Sequence, residues 1–243
     1  MIKITDTVKH LIIINVLLFL ATQVFGEKMY DLLAMHYFES PLFKPWQVVT
    51  HIFMHGSVQH ILFNMIGLWM FGSSVEQMIG TKRFLILYFI AGIGAVLFSQ
   101  GIDYIQFKSV YDQMLSVGAT PQEIQNMLMT KQIPNSVLDQ ISIESLSTMF
   151  TKYNTSLVGA SGALYGVMVA FGVLLPKSKM GLMFLPIMIE SRIFIPLLLL
   201  SDILFGVFGN NSNIGHFAHV GGAIFGFLVI WYYKNQFKNK YNR

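Results

Sequence analysis

Cysteine is missing from this chain altogether, which excludes a disulfide framework, a thiolate nucleophile and any Cys-based metal site, and leaves the redox compartment unread. Charge is scarce as well. Only 12% of the 243 residues are Asp, Glu, Lys or Arg, against about 25% in an average soluble domain. A soluble domain of this length needs those residues to cover its core, whereas here 54% of the chain is hydrophobic and the charges fall between long apolar runs. The surface is therefore expected to face lipid. A net charge of +4 raises the question of nucleic acid, but the basic residues form no patch interleaved with aromatics. They sit at the ends of apolar segments, which is a membrane pattern.

A span needs about 20 mostly apolar residues, and five runs qualify: 10–26, 84–101, 157–175, 193–208 and 216–233. A sixth, 52–72, is polar over its first half, with His55, Gln59, His60 and Asn64 before the apolar stretch from Met65 to Gly72. The expected fold is thus an all-α, polytopic bundle of six transmembrane helices in a single domain, 1–243. Lys3 and Lys9 before Leu11–Ala21 could pass for a signal peptide, but no small-residue cleavage site follows closely and further spans do. The segment is read as a retained first helix. With alternating loops, Lys3, Lys9, Lys82, Arg83, Lys177, Lys179, Arg192, Lys234, Lys238, Lys240 and Arg243 share one side, 11 of the 16 basic residues. Lys28, Lys44, Lys108, Lys131 and Lys152 share the other, in much longer loops. The positive-inside rule then places both termini in the cytoplasm.

Two outer segments carry signal. Residues 27–51 mix aromatics with polar groups and two prolines, which suits a loop lying at the interface, with Phe43 and Trp46 at headgroup depth. Residues 102–155 are too polar to span, and Thr120-Pro121-Gln122-Glu123 reads as a capping box with proline at the first helical position. A helical extracytoplasmic insertion between the third and fourth spans is expected there. Met127–Met129 would belong to the apolar face of a small amphipathic helix.

Polar groups inside spans are expensive and mark function by default. His60 and Asn64 fall in the outer half of the second span, Ser161 in the first third of the fourth and His219 at the start of the sixth. All three helices enter from outside, so these groups share one depth. Ser161 lies within Gly159-Ala-Ser-Gly162 among small residues that leave its hydroxyl reachable. A serine hydroxyl is a weak nucleophile without a base, and a neutral His219 could supply one. Gly162 and Gly166 on one helix, and Ala218, Gly222 and Gly226 on the other, repeat every four residues, so close packing would bring His219 beside Ser161. His60 and Asn64, one helical turn apart, could donate with the Ser161 N–H to an oxyanion. Glu76, Glu190 and Asp202 are not expected to reach the base, which makes the arrangement a dyad, with Tyr165 holding the His219 ring by packing.

These residues resemble the rhomboid family of intramembrane serine proteases. The matching elements are Gly159-Ala-Ser161-Gly162, Ala218-His219 followed by Gly222 and Gly226, and His60-Ile-Leu-Phe-Asn64. The stretch Trp46–His55 also resembles the family's first outer loop, except that Gln47 stands where many members carry Arg. The likeness covers about residues 10–100 and 156–234. It implies catalytic roles for Ser161, His219, His60 and Asn64, no cofactor or metal, residence in a bacterial inner membrane, and cleavage of single-pass membrane proteins near their outer boundary.

Blander readings compete with each of these. Ser161 alone is commonly a packing hydroxyl at a helix interface. His51, His55 and His60, or His216 and His219, have spacings open to zinc, but the sequence joins no carboxylate or thiolate to them. His51 and His55 are expected to shape the outer loop through hydrogen bonds. Glu76 is expected to pair with Lys82 or Arg83, and Asp202 to be a buried hydrogen-bonding group. A catalytically silent rhomboid-like binder and a solute pathway are the competing functions; polar groups that stop at one depth argue against the pathway.

Overall fold

Residues 3–134, 137, 140–181, 188–208 and 215–241 are described by the structure, a computed structural model. Segment 135–136 and residues 138–139 of the expected insertion, and Arg243 of the C-terminal basic cluster, lie outside the described residues.

The chain opens with α1 (Asp6–Phe25), turns at Gly26 with φ +59°, and continues as the short α2 (Glu27–Leu33). The first outer loop then carries α3 (Gln47–Thr50) and a 3₁₀ turn at His51–Phe53. The second long helical segment begins later and ends later than its hydropathy suggests. It consists of α4 (Val58–Gly67), a π-helical turn at Leu68–Gly72 and α5 (Ser73–Ile79). Ser57 caps it by accepting from the His60 N–H at 3.1 Å, which satisfies one of the free donors of the first turn.

Next, α6 (Thr81–Ser116) runs unbroken for 36 residues, about 54 Å at the usual helical rise and well beyond a hydrocarbon core of about 30 Å. It is followed by α7 (Pro121–Thr130) and α8 (Ile143–Asn154). Thr120 and Glu123 form the expected capping box on α7, with proline at the start. The remaining elements are α9 (Ser161–Leu174), β1 (Lys179–Gly181) paired antiparallel with β2 (Met188–Glu190), α10 (Ser191–Phe208) and α11 (His216–Tyr241). Among the described residues four helices, α1, α6, α10 and α11, are long and apolar enough to cross a membrane, and α9 is a shorter apolar helix.

The centre of the bundle is built from absent side chains. A Cβ added at Gly222 would lie 2.0 Å from the Gly162 carbonyl oxygen, and one at Gly226 would lie 2.3 Å from the Gly166 Cα. Backbones of α9 and α11 therefore touch, as the small-residue stripes require. On the other side of α9, added Cβ atoms at Gly162 and Gly166 would meet Ala95 and Ala91 of α6 at 2.5 and 2.3 Å. Larger apolar residues, including Leu68, Phe84, Leu87, Leu164 and Val167, close the core around this contact.

A second, separate core lies outside the bundle. Phe107 and Met114 of α6, Ile124, Met127 and Leu128 of α7, and Leu146, Met149 and Tyr153 of α8 pack together with Tyr37 of the first outer loop. Segment 102–155 is thus a folded helical unit seated on that loop. Met127 is buried as expected of the amphipathic face, while Met129 points away and is exposed.

Candidate active site

The first outer loop is held by an uncharged side chain. Gln47 is fully buried, and its amide donates to the Asp31 and Leu42 carbonyls at 2.9 and 3.0 Å. Its oxygen accepts from the Lys44 N–H at 3.1 Å. Three points of the chain around this loop are thereby tied to a single residue, without the charge an Arg would bring. Trp46 donates from Nε1 to the Leu32 carbonyl at 2.8 Å while its ring stays half exposed, the amphipathic placement expected of an interfacial tryptophan.

That loop fixes the turn before Ser161. Met35 and Leu157 exchange backbone hydrogen bonds at 2.9 and 2.8 Å, and the Gly159 N–H donates to the His51 carbonyl at 2.9 Å. His51 in turn is fixed through Nδ1, 2.9 Å from the Gln47 carbonyl. Gly159 has φ +127°, a region that disfavours side chains, and an added Cβ would lie 2.7 Å from His60 Nε2. The glycine is required twice over. His55 departs from the expected loop-shaping role: its ring nitrogens have no hydrogen-bond partner among the described residues, and the ring instead packs edge-on against His60 with centroids 5.0 Å apart.

Ser161 is the first residue of α9, nearer the helix start than its span boundaries suggest. The first N–H groups of a helix have no partner within it and are free for an anion. One helical turn after His60, Asn64 is buried and its amide nitrogen has no partner among the described residues. Such a donor is costly to bury unless something accepts from it.

His219, on the first turn of α11, lies with Nε2 3.0 Å from Ser161 Oγ. Tyr165, one turn along α9, stacks on its ring at a centroid distance of 4.2 Å and an interplanar angle of 6°. The expected absence of an acidic partner is wrong. Asp202 Oδ1 lies 3.0 Å from His219 Nδ1 and 2.6 Å from His216 Nδ1. Asp202 is the buried hydrogen-bonding group expected, and it does reach the base, because α10 carries it two thirds of the way along its length to the level of the start of α11. Its position along α10 is the signal that could have found it.

Because a carboxylate can only accept, each imidazole presents Nδ1–H to Asp202. A neutral His219 in that tautomer has its Nε2 lone pair facing the Ser161 hydroxyl. The cluster also changes the metal question, since Asp202, His216 and His219 bring ligand atoms within 4.8 Å of one another. A carboxylate therefore does join these histidines, contrary to the sequence reading. The separations of 2.6 and 3.0 Å suit protons between the atoms, because ligands each about 2.0–2.1 Å from a tetrahedral ion stand farther apart.

Away from this cluster, Glu76 is buried and accepts from the hydroxyls of Thr5, Thr7 and Thr81. These contacts tie α5 to the start of α1 and of α6.

Sequence comparison supplies the remaining fact. The Rhomboid domain family model matches residues 42–122 and 137–236. The chain belongs to the rhomboid family. It is similar to rhomboid protease AarA of Providencia stuartii, with 28% identity over 186 residues, 76% of this chain and 54% of that protein. Rhomboid protease GlpG of Salmonella newport is 33% identical over 79 residues, 32% of this chain and 29% of the relative. Rhomboid protease GluP of Bacillus subtilis is 44% identical over 48 residues, 20% of this chain and 10% of the relative. The chain thus spans about half or less of the curated relatives it matches. As a rhomboid with several membrane-length apolar helices, it is an integral, multi-pass membrane protein.

Proposed function

We propose that this rhomboid is an intramembrane serine endopeptidase that cuts single-pass membrane proteins near the outer face of a bacterial inner membrane. The observation that carries the reading is the 3.0 Å separation of Ser161 Oγ and His219 Nε2. In the reaction Ser161 Oγ attacks the scissile carbonyl carbon as its proton passes to His219 Nε2, and the carbonyl electron pair moves onto oxygen. His60, the Asn64 amide and the Ser161 N–H receive that oxyanion; loss of one such donor typically costs about 10² to 10³ in rate. The proton on His219 then goes to the leaving amine, and water repeats the sequence on the acyl-enzyme.

In this reading six helical segments cross the bilayer: α1, the segment from α4 to α5, α6, α9, α10 and α11. Both termini are cytoplasmic, and segment 102–155 is an extracytoplasmic cap. With 14 residues, α9 rises only about 21 Å, short of a hydrocarbon core of about 30 Å. If its C-terminal end reaches the inner boundary, Ser161 starts below the outer surface, under the first outer loop. Water can reach that depth from one side only, which suits hydrolysis.

The test is labelling of the purified protein with a serine-directed fluorophosphonate alongside cleavage of a model transmembrane substrate. Wild type should label and cleave, and Ser161→Ala should do neither. A wild-type protein that binds the substrate but neither labels nor cleaves it would support the silent-binder alternative and overturn this one.

A further inference from the structure

Resting on the serine-protease reading, we propose that Asp202 is a positioning residue for His219. Its carboxylate, delivered by α10, fixes the imidazole in the Nδ1–H tautomer and supports the positive charge that forms as the ring takes the Ser161 proton.

The case begins with where Asp202 sits. Much of the outer part of α10 faces outward: Leu200, Ile203, Leu204 and Phe205 are exposed, whereas Asp202 is only 5% exposed. A carboxylate on such a helix is expensive in lipid and persists only with partners. Its hydrogen-bond partners include the Nδ1 atoms of His216 and His219, at 2.6 and 3.0 Å, and the Tyr165 side chain.

A simple helix staple would satisfy that much, but the direction of the bonds says more. The groups facing His219 are His60 from α4, Ser161 and Tyr165 from α9, Asp202 from α10, and His216 from its own helix. Tyr165 sets the plane of the ring by stacking, yet a stacked ring can still flip by half a turn about its Cβ–Cγ bond, exchanging nitrogens for carbons, and its proton can sit on either nitrogen. Only an acceptor placed at Nδ1 fixes both the flip and the tautomer. Asp202 does so, because it accepts from Nδ1 while Ser161 Oγ meets Nε2 on the opposite edge. His216 donates to the same oxygen at 2.6 Å and keeps the carboxylate from swinging away. During attack the serine proton moves to Nε2, the Oγ–carbon bond forms, and Asp202 stays ionised beside the new imidazolium.

The experiment compares wild type with Asp202→Asn, measuring kcat and KM on a transmembrane substrate, the rate of fluorophosphonate labelling, and the unfolding temperature. Asparagine keeps an oxygen that can accept from His216 but loses the charge and the fixed preference for a donor on His219. The amide replacement of an orienting carboxylate costs about 10⁴ in a soluble serine protease. The expected result is a fall of about 10²-fold or more in kcat and in labelling rate, with KM within about twofold and thermal stability near wild type. Asp202→Glu, which keeps the charge, should recover part of kcat and carries the test by itself if Asp202→Asn does not fold. Wild-type kcat in Asp202→Asn would overturn the proposal. So would a parallel loss of kcat and thermal stability that Asp202→Glu restores together, since that is the behaviour of a staple. Failure of the underlying reading looks different: wild type itself would then neither label at Ser161 nor cleave.

Discussion

Ser161 and His219 stand 58 positions apart in the chain and 3.0 Å apart in space, and only the glycine stripes between them allow that approach. Removing one hydroxyl from such a stripe changes packing little, so Ser161→Ala should unfold at nearly the wild-type temperature while losing all cleavage. An inactive variant that is also strongly destabilised would point to a structural serine. His219→Ala should lose probe labelling as well as cleavage, because an unactivated hydroxyl reacts poorly; labelling at the wild-type rate would exclude His219 as the base. Extended dialysis against EDTA tests the other use of the Asp202, His216 and His219 cluster. Turnover should survive it, and a reversible loss restored by zinc would assign the cluster to a metal. Ser161, His219, His60 and Asn64 could be picked out of the sequence because each sits in a short pattern with a chemical reason for its spacing. Asp202 could not, since nothing local distinguishes a carboxylate that faces a histidine from one that faces a loop. What identifies it is the depth at which α10 returns past α11, a long-range fact.

At the scale of elements, the contact of α9 with α11 is the one least able to absorb change. Gly222→Val would drive a side chain into the Gly162 carbonyl, where even a Cβ stands at 2.0 Å. A backbone atom cannot rotate away, so the expected cost is about 3 kcal/mol or more, read as loss of folded protein in a denaturation series. Gly56, with nothing within 4 Å of an added Cβ, should accept alanine at little cost. The stripes themselves were readable in the sequence because a four-residue repeat of small residues has one physical use in lipid. The limits of the helices were less so: hydropathy sees neither the Ser57 cap that delays α4 nor the continuation of α6 beyond its apolar run as far as Ser116. The first outer loop adds a pH dependence. Burial pushes the His51 imidazole down to about 4, outweighing the backbone contacts that favour its charged form. Unfolded, that ring takes up its proton near pH 6.5, so the unfolded chain binds more protons below that point. Stability should therefore be full above about pH 6.5, decline as pH falls toward about 4 and level off below. Thermal unfolding measured across that window should show the decline, and His51→Gln should make it shallower. An unchanged slope in the variant would assign the effect to other groups.

For the molecule as a whole, the question is how two cores cooperate. The bundle core holds Ser161 and His219 through α6, α9 and α11, while the second core of α7, α8 and the outer part of α6 meets the bundle through Tyr37 in the first outer loop. Lys152 pairs with Asp103, and Tyr153 reaches the Glu39 carbonyl at 3.4 Å, so segment 102–155, the proposed cap, is seated and not merely tethered. None of the close backbone contacts that place His219 beside Ser161 involves a residue of the cap. Its removal should consequently leave the chemistry largely intact and change what can reach it. Replacing about residues 106–150 with a short Gly/Ser linker should alter kcat/KM for a transmembrane substrate by a larger factor than the labelling rate of a small fluorophosphonate, because only the large substrate must pass the cap and the loop beneath it. Equal losses for both would mean that the cap, acting through Tyr37 and the loop tied to Gly159, sustains the geometry of Ser161 itself. No change in either would reduce the segment to an insertion without a part in catalysis. The direction of change for the large substrate is informative in its own right: a faster reaction identifies a barrier over the site, and a slower one identifies a surface on which the substrate first docks.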